Sequence, residues 1–404
     1  MLDQPTLTGA NGGAQFFDAL GDVQGDALLK LIAMANADPR PDKIDVGVGV
    51  YRDGIGNTPI LRAVKAAEKL LWESQQSKSY IGGFGDKRYT ELLRPIVLGR
   101  HAADERIAGL HTPGGCGALS LGFKLIATAQ PGAKVLVGTP TWPNHIPVIE
   151  AAGLTISEYR YYDRLETRIR FDEMMAAFDA AKRGDVVLLH ACCHNPTGAD
   201  LDEGQWREVV ELVSRRGLTP LVDIAYQGLG QGFADDASGL HMLLDACDEV
   251  VIAQSCDKNF GVYRDRVGSL FLKTNTTNQT RRAMEHVVQI AREMWSMPPD
   301  HGAAAVRIVL DTPELRADWD VEVGEMRDRI NSIRSKIAAA DPRLAFIGGQ
   351  FGMFSMLPIS LEQVVRLREQ HAIYMADSGR FNVIGMADAA VDRFIAAVVE
   401  AMNG

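Results

Sequence analysis

Four β-rich runs each end in residues that could do chemistry together. KVLVGTP (134–140) is followed by TWPNH (141–145) and DVVLLHACC (185–193) by HNPTG (194–198); TPLVDIAY (219–226) ends around Asp223 and Tyr226, and EVVIAQS (249–255) leads through Ser255 to Lys258. An open, largely parallel sheet takes ligands outside the carboxyl ends of its strands. Trp142, Asn195, Asp223, Tyr226 and Lys258 would therefore bring an indole, an amide, a carboxylate, a phenol and an amine to one crevice. That inventory suits a flat, charged aromatic cofactor. A lysine amine forms a Schiff base with an aldehyde, and a carboxylate facing a pyridine nitrogen keeps it protonated, which makes the ring an electron sink. A phenol and an amide beside a ring oxygen favour its anion. Once displaced from the aldehyde, the lysine is free to move a proton at the substrate carbon.

A second feature suits an anion. The segment TPGGCGA (112–118) precedes the helical pattern LSLGFKLIATA, so backbone N–H groups around Gly115 and Cys116 would lie at a helix N-terminus. Ser255 and Arg266, near the lysine, could donate to the same anion, the arginine through its planar fork.

These residues need a scaffold. The runs above, with VGSLFLK (267–273), alternate with amphipathic stretches at 172–183 and 203–216, the signature of an α/β unit with a largely parallel sheet. Beyond residue 312 the pattern changes to a long charged helix (LRADWDVEVGEMRDRINSIRSKIAAA), then GMFSML, a helix near 361–371 and a final amphipathic helix. The stretch up to residue 55 offers a helix candidate, DALLKLIAMANA, and the turn-rich KIDVGVGVYRDG, and is too short to fold alone. The expected organisation is a large domain over 56–311 and a smaller α+β domain from 1–55 and 312–404, with an N-terminal arm.

Composition excludes other classes. The chain has 404 residues and 46% hydrophobic content, enough for two cores. No run approaches the roughly 20 apolar residues of a membrane span, and MLDQPTLTGANGG lacks a signal core. A formal net charge of −10 argues against nucleic acid. Five cysteines, an odd number without an export signal, suit reduced thiols in a cytoplasm. Cys192, Cys193 and His194 read as buried thiols and a hydrogen-bonded histidine rather than a metal site, because neighbouring strand residues point to opposite faces and no second ligand pair has zinc spacing.

At this point the chain resembles the class I aminotransferases, in the aspartate and aromatic-amino-acid subgroup. Ten segments in family order carry the resemblance over nearly the whole chain: VGVGVYRD (46–53), KSYIGG (78–83), TPGGCGAL (112–119), TWPNH (141–145), CCHNPTG (192–198), DIAYQG (223–228), SCDKNFGVYRDRVG (255–268), PPDHGA (298–303), GMFS (352–355) and SGRFNV (378–383). The resemblance implies the pyridoxal-phosphate-dependent transferase fold of type I, pyridoxal 5'-phosphate as cofactor and a homodimer with shared active sites. It implies that Lys258 bears the cofactor aldehyde, that Asp223 meets the pyridine nitrogen with His145 behind it, and that Trp142 stacks on the ring. Asn195 and Tyr226 would contact the ring oxygen. Gly115, Cys116, Ser255 and Arg266 would hold the phosphate with Tyr80 from the second subunit. Arg380 would grip the substrate's α-carboxylate, Gly49 would border the substrate, and the partner's Arg292 would meet a side-chain carboxylate.

The chain departs from the family in three places. Cys116 replaces a threonine hydroxyl, and Asp257 replaces a small hydroxyl residue beside the lysine, putting a negative charge near a phosphate unless it points away or pairs with a cation. Met294 and Trp295 add bulk beside Arg292 and, with Cys256, extend the expected substrates from aspartate and glutamate to tyrosine and phenylalanine. Other readings share parts of this pattern. An aspartate-only aminotransferase, or a lyase or decarboxylase on the same scaffold, would keep the cofactor. A non-catalytic binding protein would lack the imine absorbance. A nicotinamide-dependent oxidoreductase would need G-x-G-x-x-G after a strand, where the chain has Gly115-Cys116-Gly117 followed by Ala118, Leu119 and Ser120.

Overall fold

Strands with no polar face must be covered on both sides, and the central runs of this chain meet that condition. In the computed structural model every residue of the Val250–Ser255 and Val267–Lys273 strands is buried. The structure describes residues 27–403 together with Phe17, Leu20, Gly21 and Gly25. Residues 1–16, which hold MLDQPTLTGANGG and the start of the expected arm, lie outside the described residues.

The main sheet has seven strands, in spatial order Ile107–Pro113, Val267–Lys273, Val250–Ser255, Thr219–Ile224, Val186–His190, Lys134–Thr139 and Thr155–Arg160. The strands from Val250–Ser255 to Thr155–Arg160 are mutually parallel, and the four whose ends carry the expected chemistry are adjacent. Val267–Lys273 runs antiparallel to both of its neighbours. This reversal positions the site. It sets Gly268 opposite Ser255 and Val267 opposite Pro113, so Arg266 enters the sheet at the end where Lys258 and the glycine segment leave it.

The helices follow local signals. Glu203–Arg216 begins with a capping box between Asp202 and Gln205 and ends at Gly217, whose φ of 64° is left-handed. Gly114–Ala129 starts before the apolar pattern at 119, because the glycines themselves form its first turn. Two edge elements depart from the sequence pattern. Thr155–Arg160 buries only Tyr159, and Ile107–Pro113 carries Gly109, His111 and Thr112 among its apolar residues.

Around this sheet, Ile44–Asp45 pairs in parallel with Ile373–Tyr374, and Phe354–Met356 pairs antiparallel with Arg380–Asn382. The long helix Pro313–Ala340 supplies Arg334, fully buried, which donates to the carbonyls of Phe351 (3.1 Å), Gly352 (2.7 Å) and Phe354 (2.6 Å). A buried guanidinium is stable only when its donors are met, so this fan of bonds ties the GMFS segment to the helix. No helix among the described residues is long and apolar enough to cross a membrane.

Candidate active site

The strand-end residues converge on a cavity of about 280 Å³ lined by Trp142, Asn195, Asp223, Tyr226, Ser255, Lys258, Gly115, Gly49 and Arg380. They arrive from several strand ends and the loops beyond them. The turn after Val250–Ser255 places Lys258 so that its Nζ lies 5.2 Å from the centre of the Tyr226 ring. Burial lowers the Lys258 pKa, opposed by the charges of Asp257 and Asp223. A larger fraction of neutral amine is then available than on an exposed lysine.

Asp223 is buried inside Thr219–Ile224, where His145 Nε2 meets its Oδ2 at 3.1 Å. Burial pushes the carboxyl up, but the His145 hydrogen bond and the charges of nearby cationic groups outweigh it and hold the pKa below the usual range. Thr141 Oγ1 lies 2.8 Å from His145 Nδ1 and 3.2 Å from His190 Nε2. An ionised carboxylate therefore stands on the cavity floor with an imidazole fixed behind it.

Asn195 Nδ2 donates to the Tyr226 hydroxyl at 3.4 Å, while Asn195 Oδ1 is buried with no partner among the described residues. Burial, followed by the charge of Asp223, pushes the Tyr226 pKa up, so the phenol keeps its proton and acts as a donor. Trp142 stands edge-on to His145, with ring centres 5.2 Å apart.

The anion cradle lies beside them. A Cβ at Gly114, whose φ is +68°, would come within 2.7 Å of Arg266 Nη2, and one at Gly115 within 3.0 Å of Ser255 Cβ. Glycine thus brings bare backbone at the start of a 16-residue helix against Ser255 and Arg266. Cys116 contributes no hydroxyl; its Sγ takes a hydrogen bond from Asn144 Nδ2 at 3.3 Å. Asp257 bonds directly to Arg266 through Nη1.

On the opposite wall the Arg380 guanidinium lies 4.8 Å from the centre of the Phe354 ring, and its Nη2 donates to Gly47 O at 2.8 Å. A Cβ at Gly49 would come within 2.7 Å of Phe354 Cζ. Tyr80, 93% exposed, and the exposed Arg292 do not line this cavity. Leu28, Val48, Leu119, Ala225, His190 and Phe354 do line it, and none was assigned a role from sequence. Val48, Leu119, Ala225 and Phe354 fall inside segments that carry the family resemblance, but as apolar residues they look like core.

The sequence puts Cys192 and Cys193 on opposite faces of a strand, and the structure does not, because the strand stops at His190 and Cys193 has a φ of 52°. Ligand atoms of Cys192, Cys193 and Asp236 lie within 4.8 Å of one another. Asp236 already accepts N–H groups from Gly228 (2.8 Å), Gly230 (3.0 Å) and Gln231 (2.7 Å), which accounts for its burial as a loop-closing acceptor.

Comparison with known proteins places this geometry. The family described as aminotransferase class I and II matches residues 41–398. The chain is 48% identical over 377 residues to a tyrosine aminotransferase of Rhizobium meliloti (strain 1021), covering 92% of this chain and 97% of that one. It is 38% identical over 379 residues to an aspartate aminotransferase of Escherichia coli (strain K12), covering 92% and 96%. Among solved structures, an aromatic-amino-acid aminotransferase from Burkholderia pseudomallei covalently bound to pyridoxal phosphate superimposes with a TM-score of 0.93 at 38% identity, covering 96% and 99%.

Proposed function

The chain belongs to the class I and II aminotransferases, and on that premise we propose that it moves an amino group from an aromatic or dicarboxylic amino acid to a 2-oxo acid, using pyridoxal 5'-phosphate held at Lys258. One observation carries the reading: amine, carboxylate, phenol and amide share a cavity of about 280 Å³ that has an anion cradle at its edge. The residues present fit the cofactor. Gly114 and Gly115 leave room at the start of the helix that a Cβ would fill, beside Ser255 and Arg266.

When bound, pyridoxal phosphate supplies a carbonyl carbon for amines and a protonated pyridine ring that accepts an electron pair from the substrate's α carbon. Asp223, kept ionised by His145, holds the pyridine proton. Tyr226 and Asn195 donate to the ring oxygen, and Trp142 covers the ring. Gly115 and Cys116 backbone, Ser255 and Arg266 hold the phosphate. Arg380 orients the substrate by its α-carboxylate, beside Gly49. Lys258, with its lowered pKa, would be the base placed to take the proton from the substrate's α carbon.

Tyr80 and Arg292 are assigned to the neighbouring subunit's site, the arrangement in which their exposure here makes sense, and the assembly is a homodimer. Arg292 suits dicarboxylic side chains; Leu28, Val48 and Phe354 at the cavity wall suit aromatic ones. A large domain over 56–311 and a small one from 1–55 and 312–404 remain our division of the chain, and five free cysteines support a cytoplasmic setting. Turnover of aspartate, phenylalanine and tyrosine with 2-oxoglutarate tests the reading. Transfer from both classes is expected; transfer from aspartate alone overturns the aromatic part, and transfer from none overturns the whole.

A further inference from the structure

The cradle contains a charge that works against its ligand. Asp257 is 3% exposed, and its carboxylate takes Arg266 Nη1 on one oxygen and the Val267 N–H, at 3.1 Å, on the other. The same Nη1 also donates to Tyr263 O at 2.9 Å. A Cβ on Gly114 would lie 3.1 Å from Asp257 Oδ2 as well as 2.7 Å from Arg266 Nη2, so the ion pair packs directly against the backbone assigned to the phosphate. The Asp257 N–H donates to Ser255 Oγ at 3.2 Å, which ties the second assigned donor to the same residue.

The consequence is electrostatic. Once the Lys258 amine is engaged with the aldehyde, Arg266 is the formal cation that this chain contributes beside the phosphate, and Asp257 cancels it. The Asp257 carboxylate is buried, so its repulsion of a phosphate dianion several ångströms away is screened less than that of the same pair in water, and it weakens binding. Cys116 adds no hydroxyl to compensate. Asp257 also keeps Arg266 in place while no phosphate is present. That contribution is the smaller one, because Arg266 is held independently by Tyr263 O and by its backbone at the start of the buried Val267–Lys273 strand.

Resting on the proposed cofactor site, we infer that Asp257 is a positioning residue that shares Arg266 with the cofactor's phosphate and so makes this phosphate site weak and exchangeable. The ligand class is a phosphate monoester dianion. The inference concerns the strength of the hold, not the reaction.

The test uses the full-length protein stripped of cofactor in phosphate-free buffer, as wild type, Asp257→Asn and Asp257→Ser, each checked for folding by thermal melting. Titrations with pyridoxal phosphate, with pyridoxal and with inorganic phosphate as competitor are followed by absorbance. Both variants should bind pyridoxal phosphate and inorganic phosphate about tenfold more tightly than wild type, the order expected for removing one charge near a dianion. Pyridoxal, which lacks the phosphate, should bind all three proteins equally. A folded variant with unchanged or weaker phosphate binding overturns the inference, as does tightening that extends equally to pyridoxal. The wild type gives an independent result: the holoenzyme should lose cofactor on exhaustive dialysis into phosphate-free buffer, and full retention contradicts the inference. Failure of the wild type to capture either aldehyde would instead sink the cofactor site itself.

Discussion

His145 Nε2 stands 3.1 Å from Asp223 Oδ2, and both side chains are buried. With Thr141 on its other nitrogen at 2.8 Å, the imidazole is clamped on both sides, and the carboxylate it supports is held ionised where a pyridine nitrogen would sit.

That relationship predicts an ordered pair of losses. Asp223→Asn keeps the shape and removes the charge, and should cut kcat/KM by ~10³-fold, about 4 kcal/mol of transition-state stabilisation. His145→Asn leaves the carboxylate present but less well supported, and should cost roughly tenfold. Steady-state kinetics on the cofactor-loaded variants decide; an undiminished Asp223→Asn, or equal losses in the two, would contradict the assignment.

Exposure of Tyr80 and Arg292 outside their own chain's cavity predicts complementation between subunits. In a mixture of Lys258→Ala and Arg292→Asp proteins, each inactive alone toward aspartate, a hybrid dimer has one site with both defects and one with neither. Random reassociation should then restore about a quarter of wild-type activity, since about half of the dimers are hybrids with one good site of two. Mixing without recovery, after exchange is shown by mass, would mean that Arg292 does not act across an interface.

Asp200 accepts the N–H groups of Cys193 (2.6 Å) and His194 (2.8 Å) and so fixes the entrance to the loop that carries Asn195. Burial pushes its carboxyl up from 3.8 to about 7. A raised folded-state pKa means the folded protein holds the proton more tightly than the unfolded chain. The associated stability is present below the ordinary carboxylate pKa and is lost as pH rises through about 7. Asp200→Asn cannot titrate, so between about pH 5 and pH 8 its stability should improve relative to wild type by roughly 2–3 kcal/mol. Denaturant unfolding at several pH values checks this, and a stability difference that stays flat across the range refutes it.

Much of the site was legible because its residues are out of place for their elements. An aspartate inside an apolar strand and a lysine directly beyond another need explaining in a way that a surface charge does not. Arg266 was legible as a neighbour of Lys258, but its position depends on the antiparallel run of Val267–Lys273, a pairing choice that no local pattern encodes. The strands Thr155–Arg160 and Ile107–Pro113 escaped notice because an edge strand with one buried residue, and a strand interrupted by glycine and histidine, lack a clean period. Leu28, Val48 and Phe354 escaped as well, since an apolar side chain facing a cavity has the same pattern as one facing the core. The ion pair between Asp257 and Arg266 fell in between: sequence raised the question of a cation for Asp257, and packing supplied the answer.

Lys258 is assigned as the residue that holds the cofactor. Loading the protein with pyridoxal phosphate, reducing with borohydride and sequencing the labelled peptide by mass spectrometry checks that assignment. One modified residue is expected, Lys258, with loss of both the label and transamination in Lys258→Ala. Label on another lysine, or turnover retained by Lys258→Ala, would contradict it.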